Sequence, residues 1–258
     1  MWFRSPIPKH VREILDALDS LPKGAKKFGG ADGLCRAFAA LIDHTLLKSE
    51  ATPDDIRKLC KEAAKYQFAT VFVNPCYVAL AARQLEGKDV KVGSVAGFPL
   101  GSMHPDVKRQ EAERGVFDGA HEMDMVVAIG ALRAGDYDAV EEEIHAIALA
   151  CHKRDAILKV ILECAVLTEK EKRRGAKLAV RAGADFVKTS TGVIHAGATK
   201  EDVALLRDVV GRDLGVKASG GIRTLASALE MLAAGASRIG TSSGVAIVEE
   251  LRAAIERK

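Results

Sequence analysis

The chain has 258 residues, 48% of them hydrophobic and 28% charged, enough to bury most of its unfolded surface in one core and far from the composition of a disordered segment. Its 38 basic and 35 acidic residues leave a formal charge of +3, too weak a field to wrap nucleic acid or coat an anionic membrane. Five cysteines, at 35, 60, 76, 151 and 164, include no CxxC and no Cys/His pair at zinc-ligand spacing, which fits reduced thiols in a cytoplasmic protein and excludes a disulfide framework or structural zinc site.

The opening MWFRSPIPKH lacks a signal-peptide core, and no run reaches 18 apolar residues, so neither secretion nor membrane insertion is expected. The basic cluster at 23–27 reads as solvated surface. Val11, Ile14, Leu15 and Leu18 recur on one helical face, predicting an N-terminal helical extension over residues 1–40 that covers the bottom of the fold or a subunit neighbour. Eight short runs rich in β-branched residues follow, predicted as strands at 41–46, 70–74, 90–98, 122–127, 157–164, 186–191, 215–219 and 238–242. Between them lie helical stretches with their own boundary signals. Thr52-Pro53 offers an N-cap and an N1 proline, the run 168–171 reads as a capping box, and Gly87, Gly183 and Gly235 sit where helices should stop. Successive strands lie roughly 28 residues apart, the length of a strand plus its crossover helix. Residues 41–258 are therefore predicted to form one (β/α)8 TIM barrel. An open doubly wound sheet is the alternative, weakened because no GxGxxG follows the first strand.

In a barrel, active groups project from the C-terminal ends of strands. The sixth run, FVKTSTG, places Lys188 in mid-strand with Phe186 and Ser190 on its face, and the seventh, GVKASGGIR, repeats this with Lys217. Burying a lysine is costly, so a snorkelling or ion-paired lysine is the bland alternative. Two inward lysines on adjacent strands disfavour each other's charge, and a neutral amine is what attack on a carbonyl requires. Asp124 in EMDMVV supplies a carboxylate that either shuttles protons or only balances the lysines. Lys159 and Glu163 share a parity and either join this network or pair with each other. A separate signal lies in SGGIR (219–223) and GTSSG (240–244), which put Gly and Ser after the seventh and eighth strands, where barrels bind phosphate through backbone N–H groups and a helix N-terminus.

The segments IDHTLLK (42–48), VNP (73–75), VGSVAGFPLG (92–101), EMDMVVAIGAL (122–132), KVILECAVLTEKEK (159–172), GADFVKTSTG (183–192), VKASGGIRT (216–224) and RIGTSSGVAI (238–247) resemble the deoxyribose-phosphate aldolases. The resemblance runs from about Leu41 to Ile247 and leaves residues 1–40 outside. It implies reversible cleavage of 2-deoxy-D-ribose 5-phosphate to acetaldehyde and D-glyceraldehyde 3-phosphate, in deoxyribonucleotide catabolism, with no metal or organic cofactor. It implies Lys188 as the Schiff-base lysine, Lys217 as the lysine that lowers its pKa, and Asp124 as the acid/base. Thr191, Gly192, Gly220, Gly221, Ser242 and Ser243 correspond to substrate and phosphate positions. A homo-oligomer, commonly a dimer, is implied as well. The Lys188 imine is expected to act as electron sink while the C3–C4 bond of the sugar breaks.

Three positions depart from the pattern of the resemblance. Phe72 stands where some members carry a cysteine, the chain ends AAIERK where some end in a tyrosine, and Val193 replaces a common aromatic, with altered phosphate-loop packing as the expected consequence. Neither of the first two is expected to touch the lysine pair. Cys76 and Cys164 are expected near the mouth. The competing readings are another phosphate-handling barrel whose lysines act only electrostatically, and a catalytically silent scaffold.

Overall fold

A computed structural model describes residues 7–257. The start of the opening segment and of the predicted extension, through Pro6, lies outside the described residues, as does the terminal Lys258. Two helices, α1 (Lys9–Asp19) and α2 (Ala31–Ala39), precede the first strand. The chain then alternates β1 (Ile42–Leu46), α3 (Pro53–Tyr66), β2 (Thr70–Val73), α4 (Val78–Gln84), β3 (Lys91–Ala96), α5 (Pro105–Phe117) and β4 (Glu122–Val126). It continues with α6 (Ile129–Ala134), α7 (Tyr137–His152), β5 (Ile157–Ile161), α8 (Glu169–Arg181), β6 (Phe186–Lys188), α9 (Lys200–Val210), β7 (Gly215–Ser219), α10 (Leu225–Ala233), β8 (Arg238–Thr241) and α11 (Gly244–Glu256). All eight strands are parallel and close in sequence order, β8 pairing with β1. This is a (β/α)8 TIM barrel, not the open doubly wound sheet.

Local chemistry sets the helix starts. Thr52 and Thr168 each accept from the N–H three residues on, while Asp55 and Glu171 return the bond, so the expected capping box at 168–171 forms and the expected N-cap at Thr52 is closed as a capping box as well. Gly183 and Gly235 each follow a C-cap with φ of +82° and +117°, a conformation glycine adopts at no steric cost. On α1, Val11, Ile14 and Ala17 are buried and Leu15 and Leu18 pack against the core, so the apolar face is spent within the chain. Among the described residues, no helix is long and apolar enough to cross a membrane.

The outward faces of the strands bury aliphatic side chains against the helices, for example Val71, Met123, Leu158, Val187 and Val216. The inward faces are unlike the branched apolar layers that fill many barrels. Asp43, Glu122, Asp124, Lys159, Lys188 and Lys217 are all buried there, with Arg238 close by. Space for this cluster comes from glycine. A Cβ on Gly240 would lie 2.9 Å from the Lys217 Cε, and one on Gly93 would lie 2.5 Å from the Phe72 ring.

Candidate active site

The register of the sheet puts Lys188 directly opposite Lys217 on β6 and β7, and Asp124 opposite Lys159 on β4 and β5. Lys188 is the last residue of β6, so its amine lies toward the C-terminal mouth, yet the residue is only 3% exposed. One oxygen organises the upper layer. Asp124 Oδ2 accepts from Lys188 Nζ at 2.8 Å and from Lys217 Nζ at 2.7 Å. Lys217 Nζ also reaches Asp43 Oδ2 at 2.6 Å, and Asp43 Oδ1 accepts from Arg238 Nη1 at 2.7 Å. Lys159 forms a lower layer, donating to Glu122 and lying 3.5 Å from Asp124 Oδ1 and 3.8 Å from Asp43 Oδ2.

Three carboxylates thus face four cations in a largely buried site. Such an excess is unfavourable at low dielectric, and it is relieved when one lysine gives up its proton. Lys188 is the candidate, because it alone among the three lysines meets a single carboxylate. Burial pushes its pKa down, Asp124 partly restores it, and the Lys217 charge lowers it again, leaving it at about 8. Burial works against ionising Asp124, but Lys188, Lys217 and Lys159 outweigh it and hold the carboxyl at about 2. Asp43 is likewise held well below the usual carboxylate range, burial being overcome by Lys217, Arg238 and Lys159. A neutral amine beside an ionised carboxylate can add to a carbonyl and exchange protons with what it binds. Asp124 Oδ1 and the buried hydroxyls of Ser190 and Ser219 have no hydrogen-bond partner among the described residues.

Beyond β6 to β8 the chain folds into glycine-built loops. Gly192, Gly220 and Gly221 have φ of +77°, +90° and +78°. A Cβ on Gly220 would lie 2.7 Å from the Gly197 Cα and 3.0 Å from the Gly192 Cα, so the loops after β6 and β7 touch backbone to backbone. Thr241 Oγ1 donates to the Ile222 carbonyl at 2.6 Å and ties the loop after β7 to that after β8. Ser242 is exposed and half-buried Ser243 stands at the head of α11, whose N-terminus has no side-chain cap. Exposed N–H groups at such a helix start favour an anion. Thr191 differs from the other residues expected at this site. It is buried, its hydroxyl donates to Glu163 Oε2 at 2.6 Å and accepts from the Val193 N–H at 3.3 Å, so it braces the loop. Val193 itself is 59% exposed and packs little.

A sequence model of the DeoC/LacD family aldolases matches residues 37–250. The chain belongs to the DeoC/LacD aldolase family. It is 56% identical over 212 residues to the deoxyribose-phosphate aldolase of Geobacillus sp. (strain WCH70), covering 82% of this chain and 95% of the relative. It is 56% identical over 217 residues to the deoxyribose-phosphate aldolase of Thermococcus gammatolerans, covering 83% and 96%. The structure described as the unique tetrameric deoxyribose phosphate aldolase from Aeropyrum pernix superposes with a TM-score of 0.81 at 35% identity, covering 94% of this chain and 97% of that one.

Within this aldolase barrel, Lys188, Lys217 and Asp124 converge and the glycine and serine positions collect around neighbouring loops. Lys159 joins the interior network, but Glu163 does not pair with it. β5 ends at Ile161 and Glu163 adopts φ of +57°, which breaks the two-residue period and sends the carboxylate to Thr191. One expectation is overturned. Phe72 does touch one lysine of the pair, since its ring centroid lies 3.5 Å from Lys217 Nζ, and it also lies 4.7 Å from Lys159 Nζ, both within cation–π range. Asp43, Glu122 and Arg238 were not singled out from the sequence, although charged residues in strand-like runs were a usable signal. Cys76 is exposed just after β2, whereas Cys164 is buried after β5 and burial pushes its thiol well above the usual range.

Proposed function

We propose that this chain reversibly cleaves 2-deoxy-D-ribose 5-phosphate to acetaldehyde and D-glyceraldehyde 3-phosphate through an imine on Lys188. The observation that carries the reading is the shared oxygen, Asp124 Oδ2, at 2.8 Å from Lys188 Nζ and 2.7 Å from Lys217 Nζ. A lysine at the ordinary ~10.4 is about one part in a thousand neutral near pH 7.4. With Lys188 at about 8, roughly a fifth of the amine is free to attack.

The Lys188 amine adds to the C1 aldehyde of the open-chain sugar, and loss of water gives the imine. The C3 hydroxyl then loses its proton, the C2–C3 electrons move toward the iminium nitrogen, and D-glyceraldehyde 3-phosphate leaves. The bond is C2–C3 and not the C3–C4 bond expected from the sequence, because only C2 lies next to the imine carbon and acetaldehyde keeps two carbons. Protonation of the enamine at C2 and hydrolysis return the lysine. Asp124 moves these protons, and Lys217 holds Asp124 and opposes a charge on Lys188. Gly192, Gly220, Gly221, Ser242 and Ser243 take the phosphate, with Thr191 bracing the loop. The family's relation to a phosphorylated sugar and aldehydes supports this choice of substrate.

Residues 1–40 act as an extension to a barrel of residues 41–258, in keeping with a family match that begins at residue 37. We further infer a homo-oligomer, in the simplest form a dimer, located in the cytoplasm, where five free cysteines remain reduced. The test is reduction with borohydride in the presence of acetaldehyde. One ethyl group should map to the peptide carrying Lys188, and label on another lysine, or none, sinks the reading. A second measurement addresses the phosphate loops. Gly221→Glu should erase most of the preference for the phosphorylated sugar over 2-deoxyribose in kcat/KM.

A further inference from the structure

A cavity of about 900 Å³ lies at the N-terminal end of the barrel, opposite the mouth where the lysines act. Its walls are the first turn of α1, the α9–β7 connection and the starts of β6, β7 and β8. Its volume falls in the range that accommodates a small metabolite. Phe28, Leu41 and Leu214 give it an apolar side.

The remaining wall is strongly basic. Lys9, His10, Arg12, Arg207, Arg212 and Arg238 line it against only Glu13 and Asp213. Two of these cations are already engaged, Arg238 by Asp43 and Glu122, and Lys9 by Glu13 at 3.8 Å. Arg207 is different. It is 1% exposed and faces no carboxylate, donating from Nε to the Gly235 carbonyl at 2.9 Å and from Nη1 to those of Gly211 at 2.8 Å and Leu214 at 2.7 Å. Its Nη2 is buried without a hydrogen-bond partner among the described residues. Burial lowers its pKa to about 10, so the guanidinium stays charged at neutral pH. A buried cation with an unused donor is costly unless something negative reaches it.

The same cavity receives the start of α1. Pro8 stands at its cap and supplies no side-chain cap, and no acid occupies its first turn. The first-turn N–H groups and the positive end of the helix dipole therefore meet the basic wall, and the one carboxylate of α1 that lines the cavity, Glu13, is paired with Lys9. The loops after β7 and β8 lie at the other end of the barrel, so the substrate's phosphate cannot serve both places at once.

We propose that this cavity is a second anion site, taking the phosphate of a small phosphorylated metabolite between Arg207, Arg212 and the N-terminus of α1. The organic part of the ligand rests on Phe28, Leu41 and Leu214. Calorimetric titration of the full chain with inorganic phosphate tests it, with variants that separate the two ends. Gly221→Glu blocks the loop after β7, while Arg12→Glu combined with Arg212→Glu reverses the cavity rim and leaves the three carbonyl contacts of Arg207 intact. Phosphate binding that persists in Gly221→Glu and weakens at least about tenfold when the two rim substitutions are added to Gly221→Glu supports the site. Crystals soaked in phosphate should show the anion in this cavity between Arg207 and Arg212. Binding abolished by Gly221→Glu, or unchanged when the rim substitutions are added to Gly221→Glu, overturns the proposal.

Discussion

Lys159 and Lys188 project into the same barrel one layer apart, are buried to nearly the same degree, and hold their protons in opposite senses. Burial disfavours the charge of each. For Lys159 the carboxylates of Glu122, Asp43 and Asp124 overcome that penalty and raise the pKa. For Lys188 only Asp124 opposes it, Lys217 adds to it, and the value falls to about 8. Depth alone therefore does not make a lysine reactive. The number of carboxylates within reach decides whether the amine keeps its proton, and the two layers of this barrel contrast a lysine held charged with one poised to lose its charge.

The largest expected effect separates the two lysines by substitution. Lys188→Met should abolish borohydride trapping, and it should also stabilise the fold. A lysine whose folded pKa lies below its unfolded value destabilises most where both states are protonated, below about 8, and the penalty fades as pH rises toward ~10.4. The gain at pH 7 is about 3 kcal/mol at most, read from urea denaturation at constant m, and should shrink above pH 8. A variant less stable than the parent at pH 7 would mean that Lys188 is held as a structural cation.

Lys159→Met is the opposite case. It leaves Glu122 and Asp124 short of a cation, and breaking a buried pair costs about 3–5 kcal/mol. The midpoint of denaturation should fall accordingly, and a loss below about 1 kcal/mol would remove the distinction between the layers.

A smaller effect sharpens the electrostatics of the upper layer. Lys217→Leu deletes a charge that lowers the Lys188 pKa while leaving Asp124 to raise it. The pH profile of imine formation should then move upward, and at a fixed pH the free amine falls about tenfold for every pH unit the profile moves. An unchanged profile would show that burial alone sets the amine. The smallest change is Gly240→Ala, whose Cβ would meet Ser219 Oγ at 2.2 Å and Lys217 Cε at 2.9 Å. Overpacking of this kind costs about 1–3 kcal/mol, and displacement of Lys217 should lower kcat more than it raises KM. Normal kcat in a destabilised variant would separate the position of Lys217 from its role.

The strands, their crossover helices, the N-cap at Thr52 and the capping box at 168–171 were legible in the sequence because each depends on neighbours a few residues away. Lys188, Lys217 and Asp124 were legible for the same reason. An ionisable residue inside an apolar strand stands out against a two-residue period, and strand order assigns it to the mouth of a barrel. Glu163 escaped that logic when the strand ended two residues earlier and the backbone turned to positive φ. Phe72 reads as one more apolar strand residue, and nothing along the chain announces that two ammonium groups lie over its ring.

The sequence by itself determined that two lysines and a carboxylate point into one barrel, since side-chain direction follows from local alternation. Only the tertiary structure decided which lysine is short of negative charge. Arg238 reaches Asp43 across 195 residues because β8 closes onto β1, and that contact fixes the orientation of Asp43 toward Lys217. Compensation of buried charge depends on distances between strands far apart in the chain, and those distances exist only once the barrel has closed.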